Sequence, residues 1–135
     1  MSARVAVDSN VAIYAFRSDQ RSERALAALE AGPVVSVQVM NEFVNVARRN
    51  LGFDWMEIET ALLSLREVAS AVVPVTEATH IEAVRLARRY RLTIYDALIA
   101  AAALIAGCTE LLSEDMQHGL VIDGTLTIRN PFADA

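Results

Sequence analysis

Short segments rich in apolar residues, the first three of them in valine, recur between stretches long enough for a helix, and this alternation constrains the chain more than any other feature. The strand candidates are residues 4–7, 34–37, 71–75 and 110–113, with 126–128 as a further candidate. Such segments are too short and too continuously apolar to be one face of a helix, and suit strands covered on both sides. Pro74 cannot donate to a ladder, which sends the third strand to an edge or a strand end. Between them, Asp8-Ser9-Asn10 is a helix-start signal for a short helix over 11–16, and a second helix over 22–31 is stopped by Gly32-Pro33. Over 38–50, Met40, Phe43, Val44 and Ala47 fall on one helical face. Asp54 and Glu57 form a capping box for a helix ending near Ser70, with Ile58, Ala61, Leu62 and Leu65 on its stripe. Thr76 caps a helix to Tyr90, and Thr93 caps an apolar helix ending at Gly107. The expectation is an α/β domain with a mainly parallel central sheet flanked by helices. Strand order does not follow from this pattern, because a helical hairpin separates the second strand from the third.

The length of 135 residues suits a single domain over 1–135. No Ser/Gly-rich tract or internal repeat marks a linker. The longest apolar run, 97–106, covers about half the roughly 20 residues of a membrane span, and Asp8 interrupts the opening segment before a secretory signal could form. A cytoplasmic protein with no membrane contact is therefore expected. The single cysteine, Cys108, excludes an internal disulfide and a cysteine-rich zinc cage, and is expected to be a small buried apolar residue.

Charge narrows the chemistry further. A net charge of −5 argues against holding nucleic acid through a basic surface alone. The chain contains no lysine; its basic residues are arginines and two histidines. That removes the P-loop and Schiff-base mechanisms, and with them the usual receiver domains and haloacid-dehalogenase phosphatases, which need a lysine.

Four acids fall where a parallel sheet builds sites, beyond the carboxyl ends of its strands. Asp8 follows the first strand, Glu42 lies in the early turns of the helix after the second, Asp96 is three places after the Thr93 cap, and Asp115 is two residues past the fourth strand. Carboxylates gathered at one edge repel each other unless a cation offsets them, and magnesium or manganese suits oxygen ligands. Such an ion polarises a phosphoryl oxygen and lowers the pKa of a bound water. Each acid also has an ordinary role: Asp8 as an N-cap, Asp96 at the positive end of a helix, Glu42 on a solvated face, Asp115 in a turn.

Taken in order, Val5-Ala6-Val7-Asp8-Ser9-Asn10-Val11, Val39-Met40-Asn41-Glu42-Phe43, Tyr95-Asp96-Ala97-Leu98-Ile99-Ala100-Ala101 and Leu111-Leu112-Ser113-Glu114-Asp115-Met116 resemble the PIN-domain family. With Ile128-Arg129-Asn130-Pro131-Phe132, the likeness spans essentially the whole chain and is strongest to the VapC-type toxins of toxin–antitoxin pairs. The resemblance implies a PIN-like single domain acting as an endoribonuclease dependent on Mg2+ or Mn2+. In it, metal-activated water attacks in line and leaves 5′-phosphate and 3′-hydroxyl ends. Asp8, Glu42 and Asp96 match the three acids of the family's metal site and Asp115 the fourth. Ser113 stands where a hydroxyl residue supports that fourth acid, and Asn10 matches a polar residue near the first. Glu114 could replace or assist Asp115, but Asp115 has the family's spacing from Ser113. The resemblance also implies an RNA substrate, a homodimer and a small VapB-type antitoxin whose C-terminal segment occupies the active-site groove.

Other features carry less. Arg48 and Arg49, or the cluster Arg85, Arg88, Arg89 and Arg91, are candidates for RNA phosphate contacts, with a solvated helix face as the plain alternative. His80 and His118 are too far apart to form a helical metal pair. Trp55 and Met56 are expected in the core, with a partner surface as the alternative. Two competing functions stand beside the nuclease: a non-catalytic PIN-like binding module, and a metal-dependent phosphohydrolase. The missing lysine counts against the second, as does Asn10 in place of the second acid of an Asp-x-Asp motif.

Overall fold

The computed structural model of the protein describes residues 3–133. Three strand–helix–helix units run in succession: β1 (Val5–Val7), α1 (Ser9–Ala15) and α2 (Ser22–Glu30); β2 (Val34–Ser36), α3 (Val37–Arg49) and α4 (Trp55–Val68); β3 (Ala71–Val73), α5 (Glu77–Tyr90) and α6 (Ile94–Ile105). The chain then forms β4 (Glu110–Leu112) and a terminal hairpin, β5 (Val121–Ile122) and β6 (Leu126–Arg129). The six strands lie in the order β3-β2-β1-β4-β6-β5, all pairs parallel except β5 with β6. This is the mainly parallel α/β architecture that the alternation implied.

The sheet is covered on both faces. Successive strand residues point to opposite sides, yet Val34, Val35 and Ser36 are all buried. α6 packs against β2, β4 and β6, and α5 packs on α6; α1 packs on α2 and α3. Its alanines, Ala97 and Ala100 to Ala103, are buried and bring that helix close to the strands. β3 is an edge strand, and Pro74 follows it directly. Among the described residues no helix is long and apolar enough to cross a membrane.

Where structure and sequence differ, local capping or turn chemistry is the cause. α1 starts at Ser9 rather than Val11, because the Asp8 carboxylate accepts from the Ser9 amide. Val37 belongs to α3 and not to β2, because the Ser36 hydroxyl accepts from the Val39 amide and opens the helix there. β5 was missed although Asp123-Gly124 between apolar residues is a hairpin signal. Asp123 and Gly124 have φ of 54° and 67°, and the Thr125 amide donates to the Ile122 carbonyl at 3.0 Å. Trp55 and Met56 are a correction: they are 58% and 77% exposed. They occupy the first turn of α4, Met56 on the face opposite its buried stripe of Ile58, Ala61 and Leu65 and Trp55 at the margin of that stripe. The Arg48 guanidinium lies 4.8 Å from the Trp55 ring centre. Cys108 is fully buried, as expected, and burial pushes its thiol pKa up.

Candidate active site

Strand register brings the site together. β1 and β4 pair with Val7 opposite Leu112, and the Asp8 amide donates to the Leu112 carbonyl at 2.9 Å. Asp8 and Ser113 are therefore the next residues past the end of adjacent strands, and the Ser113 hydroxyl donates to Asp8 Oδ2 at 2.7 Å. On the other side of β1, Ala6 opposite Val34 puts the start of α3 beside α1. From β1 the strand order runs outward to β2 and β3 in one direction and to β4 in the other, so the β1/β4 boundary is a switch point where parallel sheets bind ligands.

Around Asp8 the side chains form a connected polar network. Asp8 Oδ1 accepts from the Ser9 amide at 2.6 Å, which makes it the N-cap of α1 as well as the centre of the cluster. The Ser9 hydroxyl reaches Glu42 Oε1 at 2.8 Å, and Gln38, one turn earlier on α3, donates to Glu42 Oε2 at 3.1 Å. Asn10 Nδ2 lies 3.4 Å from Asp8 Oδ2 and 3.2 Å from Asp115 Oδ2, so one amide bridges two acids. Ser113 thus touches Asp8, and it is Asn10 that touches Asp115. Asp96 sits in the first turn of α6, whose cap Thr93 accepts from the Asp96 amide at 3.1 Å.

Glu114 is turned elsewhere. Its two oxygens accept from Tyr14 and from Arg21, each at 2.7 Å, while its amide donates to Asn10 Oδ1 at 3.2 Å. His118 Nδ1 accepts from the Asn130 amide at 2.9 Å, so this histidine holds the terminal strand's exit. Arg85, one of the arginines expected as candidate phosphate contacts, is engaged by Glu82 and Asp123. Sequence reading assigned no role to Ser9, Gln38, Tyr14 or Arg21. The Gln38–Glu42 contact has a sequence signal in its i,i+4 spacing. The Tyr14 and Arg21 contacts span 100 and 93 residues and have none.

The electrostatics are those of a site short of positive charge. Asp8 is 2% exposed, and burial raises its pKa to about 6, against the pull of its Ser113 and Ser9 hydrogen bonds and with the help of Asp96 and Glu42. Burial also raises the pKa of Asp96, with further contributions from Glu42 and Asp115. Among the described residues, no arginine–carboxylate ion pair includes Asp8, Glu42, Asp96 or Asp115. Nor do three acidic, histidine or cysteine side chains there converge as a ready-made ion cage. The donor chemistry, all oxygen, with mutually repelling carboxylates, fits a hard divalent cation. Beside Glu42 and Asp96 opens a cleft of about 540 Å³, lined also by Gln38, Asn41, Asn45 and Tyr95.

Comparison with known proteins agrees with this architecture. The fold is similar to that of a toxin–antitoxin complex from Klebsiella pneumoniae, with TM-score 0.71 at 22% identity over 96% of this chain and 98% of that one. It is similar to VapC20, a sarcin–ricin-loop-cleaving toxin of Mycobacterium tuberculosis, with TM-score 0.66 at 19% identity over 82% and 91%. It is similar also to VapBC2 from Rickettsia felis bound to a promoter DNA fragment, with TM-score 0.66 at 16% identity over 93% and 97%. No curated protein sequence matches this chain. The model of the PIN domain matches residues 5–119, and with the site at the carboxyl end of β1 and β4 this establishes that the chain belongs to the PIN domain family.

Proposed function

We propose that this protein is a metal-dependent endoribonuclease and the toxin of a VapC-type toxin–antitoxin pair. The observation that carries the reading is the network in which Ser9, Asn10 and Ser113 tie Asp8 to Glu42 and Asp115 at the end of β1 and β4. Asp8, Glu42, Asp96 and Asp115 would hold Mg2+ or Mn2+, which when bound supplies charge neutralisation at the scissile phosphate and activation of a water nucleophile. The protein's own part is orientation. Ser113 fixes one oxygen of Asp8 and the Ser9 amide the other, while Gln38 and Ser9 each hold one oxygen of Glu42. Asn10 is a positioning residue that spaces Asp8 from Asp115. The resemblance to toxin–antitoxin proteins also supports a cytoplasmic homodimer that a VapB-type antitoxin silences.

Purified, partner-free protein incubated with total cellular RNA and Mg2+ or Mn2+ is the direct test. Discrete fragments with 5′-phosphate ends are expected, lost with a chelator and reduced at least a hundredfold in Asp8→Asn. Equal cleavage by wild type and Asp8→Asn, or none from any RNA including intact ribosomes and transfer RNA, rejects the catalytic reading in favour of a binding module.

A further inference from the structure

We propose that the cleft beside the acids is a subsite for one unpaired RNA base adjacent to the scissile phosphate, stacked on Tyr95 and read by Asn41 and Asn45. The inference rests on the nuclease reading and adds to it the residues that receive a base beside the scissile phosphate. Three observations carry it.

The first is continuity: Glu42 and Asp96 belong both to the acidic cluster and to the wall of the cleft. A nucleotide whose phosphate sits at the acids has its neighbouring base at this opening. The second is Tyr95. It is 62% exposed, although Ala97 and Ile99 on the same helix are buried. The other tyrosines are occupied: Tyr14 packs edge-on against Phe132, and Tyr90 bonds to Asp123. Tyr95 has no ring partner among the described residues, so its face is available for stacking.

The third is the chemistry of α3. Gln38, Asn41, Glu42 and Asn45 fall at i, i+3, i+4 and i+7 and form one polar stripe. Gln38 is held by Glu42, whereas the Asn41 and Asn45 side chains are exposed and make no hydrogen bond among the described residues. A carboxamide offers donors and an acceptor together, as a base edge does. No basic side chain lines the cleft, so its chemistry does not suit a phosphate. An open aromatic face beside neutral amides matches a splayed-out base, and such bases are presented by single strands, loops and bulges rather than by A-form duplex.

The test uses the full wild-type chain with Mg2+ and probes with phosphorothioate linkages, which resist hydrolysis. The probes are dye-labelled short single-stranded oligoribonucleotides of A, C, G or U, and an abasic strand of equal length, followed by fluorescence anisotropy. Tyr95→Ala is expected to weaken binding of the base-bearing strands about tenfold, the usual effect of losing one base–aromatic stack, and to leave the abasic strand unchanged. Tyr95→Phe should bind within about twofold of the parent. The pair Asn41→Ala and Asn45→Ala should alter the ranking of the four bases. Circular dichroism and thermal midpoint verify folding of each variant.

Equal losses for abasic and base-bearing strands, no loss in Tyr95→Ala, or no binding of any strand by the parent overturns the subsite. So does a shift from dimer to monomer in Tyr95→Ala by light scattering, which would assign Tyr95 to a subunit interface. Acid-dependent cleavage together with Tyr95-independent binding removes the subsite and leaves the nuclease. Tyr95-dependent binding with no acid-dependent cleavage does the reverse.

Discussion

Asp8 serves as a helix cap and as the centre of an acidic cluster, and those roles pull its proton affinity in opposite directions. The cap and Ser113 favour its charged form, while burial and neighbouring acids favour the neutral form and prevail, giving a pKa of about 6. In the unfolded chain the same group ionises near 3.8. Between those values the folded state binds more protons, so the metal-free protein loses stability as pH rises through this window. The loss is on the order of 2–3 kcal/mol and is complete above the folded pKa. Chemical denaturation in chelator from pH 4 to 8 should show this fall, and Asp8→Asn should flatten it while standing about 1–2 kcal/mol above wild type at pH 8. A fall of equal size in both proteins would place the titration elsewhere. At this scale Asp8 and Asp96 were legible, because a strand end and a helix cap are local signals. Glu114 against Asp115 was not: the choice rests on Tyr14 and Arg21, about a hundred residues away along the chain.

At the scale of elements, helix boundaries were written in the chain wherever a side chain makes the cap. Asp54, Thr76 and Thr93 each accept from the amide three residues on. α6 ends on Gly107 at φ 78°, with the Cys108 amide bonded to the Ala103 carbonyl at 2.9 Å, the turn that glycine makes cheaply. α5 ends in the same way, with the Leu92 amide on the Ala87 carbonyl, but a non-glycine, Arg91, takes the left-handed position at φ 57°. That conformation costs an L-residue about 1–2 kcal/mol. Arg91→Gly should therefore raise stability by about 0.5–1 kcal/mol, read as a higher denaturation midpoint with an unchanged slope. A lower midpoint would mean that the arginine side chain contributes more than the strain costs. The exposed first turn of α4 has a related cause: apolar residues just after a cap need not join the buried stripe.

For the whole molecule, sheet order decides where charge collects. β1 lies between β2 and β4, so Asp8, Ser113 and the start of α3 meet at one edge, and α6 brings Asp96 to them. With a cation held as proposed by Asp8, Glu42, Asp96 and Asp115, folding and cation binding are interdependent. A ligand present at a hundred times its dissociation constant stabilises by about 2.7 kcal/mol. Saturating Mg2+ or Mn2+ should thus raise the thermal midpoint of wild type by about 5 °C or more, and by much less in Asp8→Asn and Asp96→Asn. Equal shifts in all three would put the cation outside this site.

The chain by itself determined its alternating elements, most helix caps and the acids that follow strands, because these depend on neighbours within a turn or two. Strand order, the Ser9 and Asn10 bridges, the diversion of Glu114 and the cleft beside Tyr95 were decided by tertiary structure alone. They arise from parallel pairing between segments far apart in sequence, and no local pattern encodes which strands pair or which side chains then face each other.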